Sequence, residues 1–179
     1  MKDPATKRPD RLLKTSIWTV QAFRFANLVA VLFIAAVLVA TLPGAEWVEA
    51  RLILKYRDTV DPGAVVAFMQ VTMLLTLPVG LAVERLLVAL RAILRTVETG
   101  DPFAGANAGR LRTIGWMLLV VQCADLGFGA VTLVAQHLHI DFLPWQPGFT
   151  GWIAVLVAFV LAQVFERGAA MQGDLDGTV

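Results

Sequence analysis

Four long apolar stretches limit what this chain can become. A helix needs about 20 residues, at about 1.5 Å rise each, to cross a hydrocarbon core about 30 Å thick. The stretches at 23–42, 64–83, 113–136 and 151–165 read as four such spans. Each is apolar on every face and none alternates as a barrel strand would, so all four are predicted helices, whose backbone groups are satisfied within the segment. The chain is thus expected to be an all-α integral membrane protein, with residues 1–179 forming a single four-helix domain. Composition agrees: 58% of residues are hydrophobic and 16% charged, against about 45–50% and about 25% in soluble domains. That balance excludes a disordered chain and argues against a soluble one.

Orientation follows from the basic residues outside the spans. The N-terminal segment with its membrane edge holds six (Lys2, Lys7, Arg8, Arg11, Lys14 and Arg24), the segment between spans two and three holds five, and the tail holds Arg167. The loop between spans one and two holds Arg51, Lys55 and Arg57, and the last loop none, a split of 12 against 3. Both termini are therefore expected in the cytoplasm, with the protein in a bacterial cytoplasmic (inner) membrane. Trp18 and Trp116 then fall at the cytoplasmic interface, and Trp47, Trp145 and Trp152 at the outer one, as aromatic belts require. The first span is longer than a secretory h-region, and Thr41-Leu42-Pro43 offers no small-x-small cleavage site, so it is expected to stay uncleaved.

Outside the lipid, residues 1–16 read as a basic, disordered cytoplasmic arm that touches anionic headgroups. Asp3 and Asp10 dilute its charge, and with a net charge of +1 overall, direct nucleic-acid binding is not expected. Span two does not end at Val83. Glu84 to Thr99 continues with apolar residues at helical spacing and Glu84, Arg91, Arg95 and Glu98 opposite them, an amphipathic cytoplasmic extension. Gly100 supplies a helix stop, and Asp101-Pro102 an N-cap pattern ahead of a restart near Asn107. The extension either lies on the membrane or bundle, or offers a docking surface.

Polar residues inside the spans are few. Asp125 lies near the midpoint of span three, where insertion costs about 2.5–3.5 kcal/mol. A carboxyl at that depth is expected to hydrogen-bond Thr72 or Thr76 of span two, or to stay near Gln122 one turn back. It reads either as a clamp between helices or as a proton or substrate site. Gln70 and Gln163 read as interhelical glue, and the pairs Ala36/Ala40 and Ala158/Ala162 as small packing residues. His137, His139 and Asp141 alternate in the last loop and have the donor types for zinc or iron, but a short Pro-rich loop offers little second-shell support, so no metal is expected. Cys123, the single cysteine, lies in apolar surroundings that leave a thiol unreactive. No nucleophile constellation, HExxH, GxSxG or phosphate-binding glycine loop is present, so neither catalysis nor a cofactor is expected. The two halves show no internal repeat of the kind common in transporters.

GDPFAGANAGRLRTIGW, from Gly100 to Trp116, and FVLAQVFERGAAMQGDLDGTV, from Phe159 to Val179, resemble the signature segments of a bacterial membrane family known as domain of unknown function 2975. With four spans in matching order, the resemblance covers nearly the whole chain past residue 20. It implies no enzymatic activity. Members are often encoded beside a small helix-turn-helix regulator, which implies by association a membrane partner for a transcription factor. The reading that follows is a non-enzymatic membrane protein whose cytoplasmic face binds a regulator. Its contact residues would be Asp101, Pro102, Phe103, Asn107, Arg110 and Arg112 at the turn, with Met171, Thr178 and Val179 in a short tail (168–179) able to dock as an extended segment. Self-association into a homo-oligomer is compatible with it. The alternative is a small transporter or proton-coupled sensor centred on Asp125.

Overall fold

The computed structural model describes residues 7–42, 46, 48, 50, 61–138 and 145–176, with side chains between residues 11 and 171 of that set. Among the described residues four long helices follow one another, α1 (Lys7–Thr41), α2 (Pro62–Glu98), α3 (Ala106–His137) and α4 (Thr150–Asp176), residues 46, 48 and 50 are also helical, and no strand occurs. All four are long and apolar enough to cross a membrane, consistent with a membrane protein.

Each helix outruns its apolar stretch. α1 begins at Lys7, so the part of the N-terminal arm from 7 to 16 is helical rather than disordered. Pro9 falls in the first turn, where its missing N–H costs no helical bond. The hydroxyls of Thr15, Ser16 and Thr19 bond back to carbonyls four residues earlier, which satisfies them without tertiary partners. α2 starts with a full cap: Asp61 Oδ1 accepts from the Gly63 N–H at 3.0 Å, and Pro62 takes the first helical position. It continues through Pro78, whose ring is exposed, and through Glu84 without a break.

α2 ends as its glycine requires. Gly100 has φ +84°, the Gly100 N–H reaches Val97 O at 3.2 Å, and the Asp101 N–H reaches Thr96 O at 2.9 Å. This is the paired closure of a Schellman turn, which needs a residue free to adopt positive φ. The next expectation fails. Asp101-Pro102 does not cap α3; the cap position is Gly105, without a side-chain hydrogen bond, and the helix starts at Ala106. The Asp-Pro pair that works at 61–62 is held in a turn at 101–102 because the residues after it are drawn elsewhere, as described below. The tail is also corrected. α4 stays helical to Asp176, so the chain from 168 to 176 is not an extended segment. Thr178 and Val179 lie outside the described residues.

The main packing is between sequence neighbours, α1 on α2, α2 on α3 and α3 on α4, so the helices form an open antiparallel row. Glycines set how closely they approach. A Cβ on Gly80 would overlap the Val31 side chain, one on Gly115 would press the Phe159 ring at 3.1 Å, and one on Gly129 would enter the Trp145 indole at 2.7 Å. Polar links add register. Asn27 Nδ2 donates to Gly80 O at 3.0 Å, and Gln70 Nε2 donates to Thr41 O at 3.1 Å, which caps the end of α1. α4 buries Val155, Ala158 and Ala162 against α3. Ala36 and Ala40, by contrast, are exposed and form no seam, and Gln163 also faces outward. Among the described residues the main neighbour of α1 is α2, and none of the α1 residues from 21 to 41 is buried.

The contact between Val31 and Gly80 generates a test. Gly80→Ala is expected to cost about 1–3 kcal/mol through overpacking, read as a lower thermal midpoint in detergent. Val31→Ala in the same chain should recover most of that loss, since the two residues meet directly.

Candidate functional site

The polar residues gather chiefly at two places, the turn between α2 and α3 and the C-terminal half of α3. At the turn the organising residue is Asn107, which has no accessible surface. Its Nδ2 donates to Thr96 Oγ1 at 2.7 Å and to Pro102 O at 2.9 Å. Its Oδ1 accepts from Arg110 Nη1 at 2.7 Å, and the same nitrogen reaches Ala92 O at 3.3 Å. The Asn107 N–H itself donates to Ala104 O at 2.8 Å. One amide thus ties the last turns of α2, the connecting turn and the first turn of α3 together. Only a side chain with both donors and an acceptor can do this. It also explains the failed cap: the Pro102 carbonyl points to Asn107, so the chain turns again before the helix begins.

Beyond the turn, Phe103 crosses to α4. Its ring stacks on Phe165 with centroids 5.4 Å apart, and it rests against Gly168, where a Cβ would meet it at 3.2 Å. Gly168 therefore gives room to a ring, which is why a glycine here does not mark a helix end. Arg112 Nη2 meets Glu166 Oε2 at 3.0 Å on the same side, in an exposed pair of small energetic weight. Of the residues expected at a contact surface, the structure gathers Asp101, Pro102, Phe103, Arg110, Arg112 and Asn107 at one end of the row. Asp101, Pro102, Phe103, Arg112 and Met171 are exposed, Arg110 is partly buried and Asn107 is fully enclosed. Asn107 therefore shapes this end from inside rather than touching anything outside it.

In the C-terminal half of α3, the expected partners of Asp125 are replaced. Its Oδ1 accepts from Trp145 Nε1 at 3.3 Å. Thr76 lines the same small cavity as Asp125, but its hydroxyl bonds back to Thr72 O at 2.9 Å, and Thr72 Oγ1 is buried without a hydrogen-bond partner. The local back-bond is available to a threonine in any helix and takes the hydroxyl away from the carboxyl. Gln122 packs its amide against Gly151 of α4. Trp145 lays its ring over Gly129 and its N–H on Asp125, contacts that its sequence reading as an interface residue does not give. The glycine at 129 was the available signal for it. His137 lies in the last turn of α3, while His139 and Asp141 are outside the described residues.

One feature escaped the sequence altogether: Arg24 and Glu84 form an ion pair between α1 and α2. In the sequence Arg24 adds to the basic residues outside the spans and Glu84 to the polar face of a helix, each on its own element. Opposite charges near the same end of two consecutive spans were the clue. The pair is eight residues of α2, roughly 12 Å, from the level of Thr76 and Asp125.

Two substitutions separate the roles of these groups. Asn107→Ala is expected to cost about 2–4 kcal/mol, because it removes three hydrogen bonds from an enclosed site and leaves the Pro102 carbonyl without its donor; thermal unfolding in detergent measures it. Asp125→Asn should be tolerated, since the amide keeps an acceptor for Trp145. Asp125→Leu and Trp145→Phe should each lose about 0.5–1.5 kcal/mol, and the double variant no more than the larger of the two.

Comparison with curated proteins and with solved structures finds no match. A family model does match, over residues 28–179, and it takes in all of α2, α3 and α4, with the turn and the α4 end just described. The chain belongs to the family described as Protein of unknown function (DUF2975).

Proposed function

We propose that this is a non-enzymatic multi-pass protein of the bacterial inner membrane, with both termini in the cytoplasm, and that the end of the row built around Asn107 docks a cytoplasmic protein. One observation carries the reading. An enclosed polar network holds a turn in a single shape, and on that turn Phe103 remains 44% exposed although it already stacks on Phe165. A loop that only joined two helices would need neither the buried amide nor the outward aromatic. Met171, 65% exposed, extends the apolar surface along α4, with Arg112 and Glu166 at its margin. An aromatic and a flexible thioether ringed by charges suit a protein partner. The family resemblance suggests a small helix-turn-helix regulator as its kind. The amphipathic continuation of α2 past Glu84 belongs to the same cytoplasmic end.

The competing reading, transport or proton sensing at Asp125, has less behind it. The Asp125 carboxyl group already accepts from Trp145, and the cavity it lines between α2 and α3 is small, about 220 Å³, with Thr76 as its one other polar residue, whose hydroxyl is bonded back to Thr72 O.

Orientation is tested with single cysteines in a Cys123→Ala background. Gly105→Cys, where a side chain meets open space, should be shielded from an impermeant thiol reagent in intact cells, and Gln146→Cys labelled; the opposite pattern overturns the topology. Docking is tested by photo-crosslinking residues placed at 103 and 171, with outward-facing Leu81 as control. A common protein adduct from 103 and 171, absent at 81, is expected. Deletion of residues 173–179 should leave the protein folded and reduce that adduct. Loss of thermal stability on deletion would instead mean that the tail only closes the end of the row.

A further inference from the structure

On the face of α2 towards the Gly100 turn lies a cavity of about 370 Å³ whose lining includes Arg24 of α1, Arg91 and Arg95 of α2, Arg110 of α3 and the threonines Thr96 and Thr99. Four arginines from three helices therefore line one space. Arg24 is neutralised by Glu84, and the other ion pair among the described residues is Arg112 with Glu166. Arg91, Arg95 and Arg110 thus have no carboxylate partner among the described residues. Arg110 is held in place by Asn107 and Ala92 O. The Nε of Arg91 is buried and without a hydrogen-bond partner among the described residues. Keeping a donor of a charged group buried and unused is costly unless a ligand takes it up.

Arg91 also borders a second, apolar hollow of about 530 Å³, lined by Ile17, Trp18, Gln21, Ala22 and Phe25 of α1. The two spaces thus meet at one side chain: a cationic one near the turn, and an apolar one running along α1. Trp18 is 78% exposed beside the apolar hollow, a disposition suited to the headgroup level of a bilayer. A free inorganic anion would use only the first space. A molecule with a phosphate at one end and a hydrocarbon chain at the other would use both.

We propose that this paired site binds an anionic phospholipid, with the phosphate held by Arg91, Arg95 and Arg110 and an acyl chain lying along Ile17, Trp18 and Phe25. Guanidinium groups match phosphate oxygens in planar, bidentate geometry. Basic pockets between membrane helices on the cytoplasmic side are suited to such headgroups. The site requires that the helices cross a membrane, but it does not depend on the docking of a protein at the turn.

Native mass spectrometry of the detergent-purified full chain tests the proposal, with phosphatidylglycerol, phosphatidylcholine of the same acyl chains, and inorganic phosphate as probes. Wild type should retain phosphatidylglycerol in preference to phosphatidylcholine. The double variant R91Q/R95Q should lose about tenfold or more of that preference, since each cation near a membrane surface contributes roughly a factor of five. Arg85→Gln, an exposed neighbour that does not line the cavity, should keep it. In a second readout, phosphatidylglycerol with brominated chains should quench wild-type tryptophan fluorescence more than its phosphatidylcholine counterpart, and Trp18→Phe should remove the excess. If the double variant does not fold, Arg95→Gln alone, an exposed position, carries the same comparison with about a fivefold loss expected. Equal retention of the two lipids by wild type, or undiminished preference in the arginine variants, overturns the proposal. So does displacement of the lipid by millimolar inorganic phosphate with no excess quenching, which would mean a free-anion site.

Discussion

In hydrocarbon, apolar side chains gain little by leaving lipid for one another, so helix association rests on close approach and on the few polar groups available. The row of four helices follows that constraint at each contact. α1 meets α2 where Gly80 admits Val31 and accepts a hydrogen bond from Asn27. α3 meets α4 where Gly115 admits Phe159 and Gly151 admits Gln122. The apolar residues that dominate the composition face outward for the most part, as with Phe33 at 68% and Leu161 at 40% exposure. They determine that helices form and where they can reside; glycines and amides determine which helices touch and in what register.

The contacts become more specific towards the Gly100 turn. There the network around Asn107 joins α2 to α3, Phe103 links the turn to α4, and the Arg24–Glu84 pair links α1 to α2. All four helices are thus tied near one end. Away from it, α2 and α3 continue past the start of α4, and their joint is a small cluster around Phe68 and Ala135. Trp145 supplies what α4 does not reach, covering Gly129 and engaging Asp125. An acidic residue in an apolar helix thereby becomes part of the packing of a loop.

The same end also concentrates the unspent chemistry. Arginines on three helices outnumber the carboxylates they pair with among the described residues, and the surplus borders one cavity. Next to it, an aromatic ring on a rigid turn stays half outside. A lipid phosphate in the first and a protein at the second would sit side by side on the family's matched region, which takes in α2, the turn and α4. Anchorage to anionic lipid would then hold the docking end at a fixed height above the membrane surface.

The four spans were legible without coordinates, because a run of apolar residues of that length has only one way to satisfy its backbone in lipid. The stop at Gly100 was also legible, since a positive φ in a helix-terminating turn favours glycine. The partners were not. Asp61-Pro62 and Asp101-Pro102 look alike as dipeptides, yet one caps a helix and the other does not, because Asn107 pulls the Pro102 carbonyl into its own network. Asn107 looked like a surface contact and is the most enclosed polar residue at the turn, while Arg24 and Glu84 looked unrelated and are paired. Sequence determines what each segment must be, because backbone satisfaction and periodicity are local; which amide, ring or guanidinium meets which neighbour was decided only when the helices came into register, because those partners lie across a turn or on different helices, from 5 residues apart for Pro102 and Asn107 to 60 for Arg24 and Glu84.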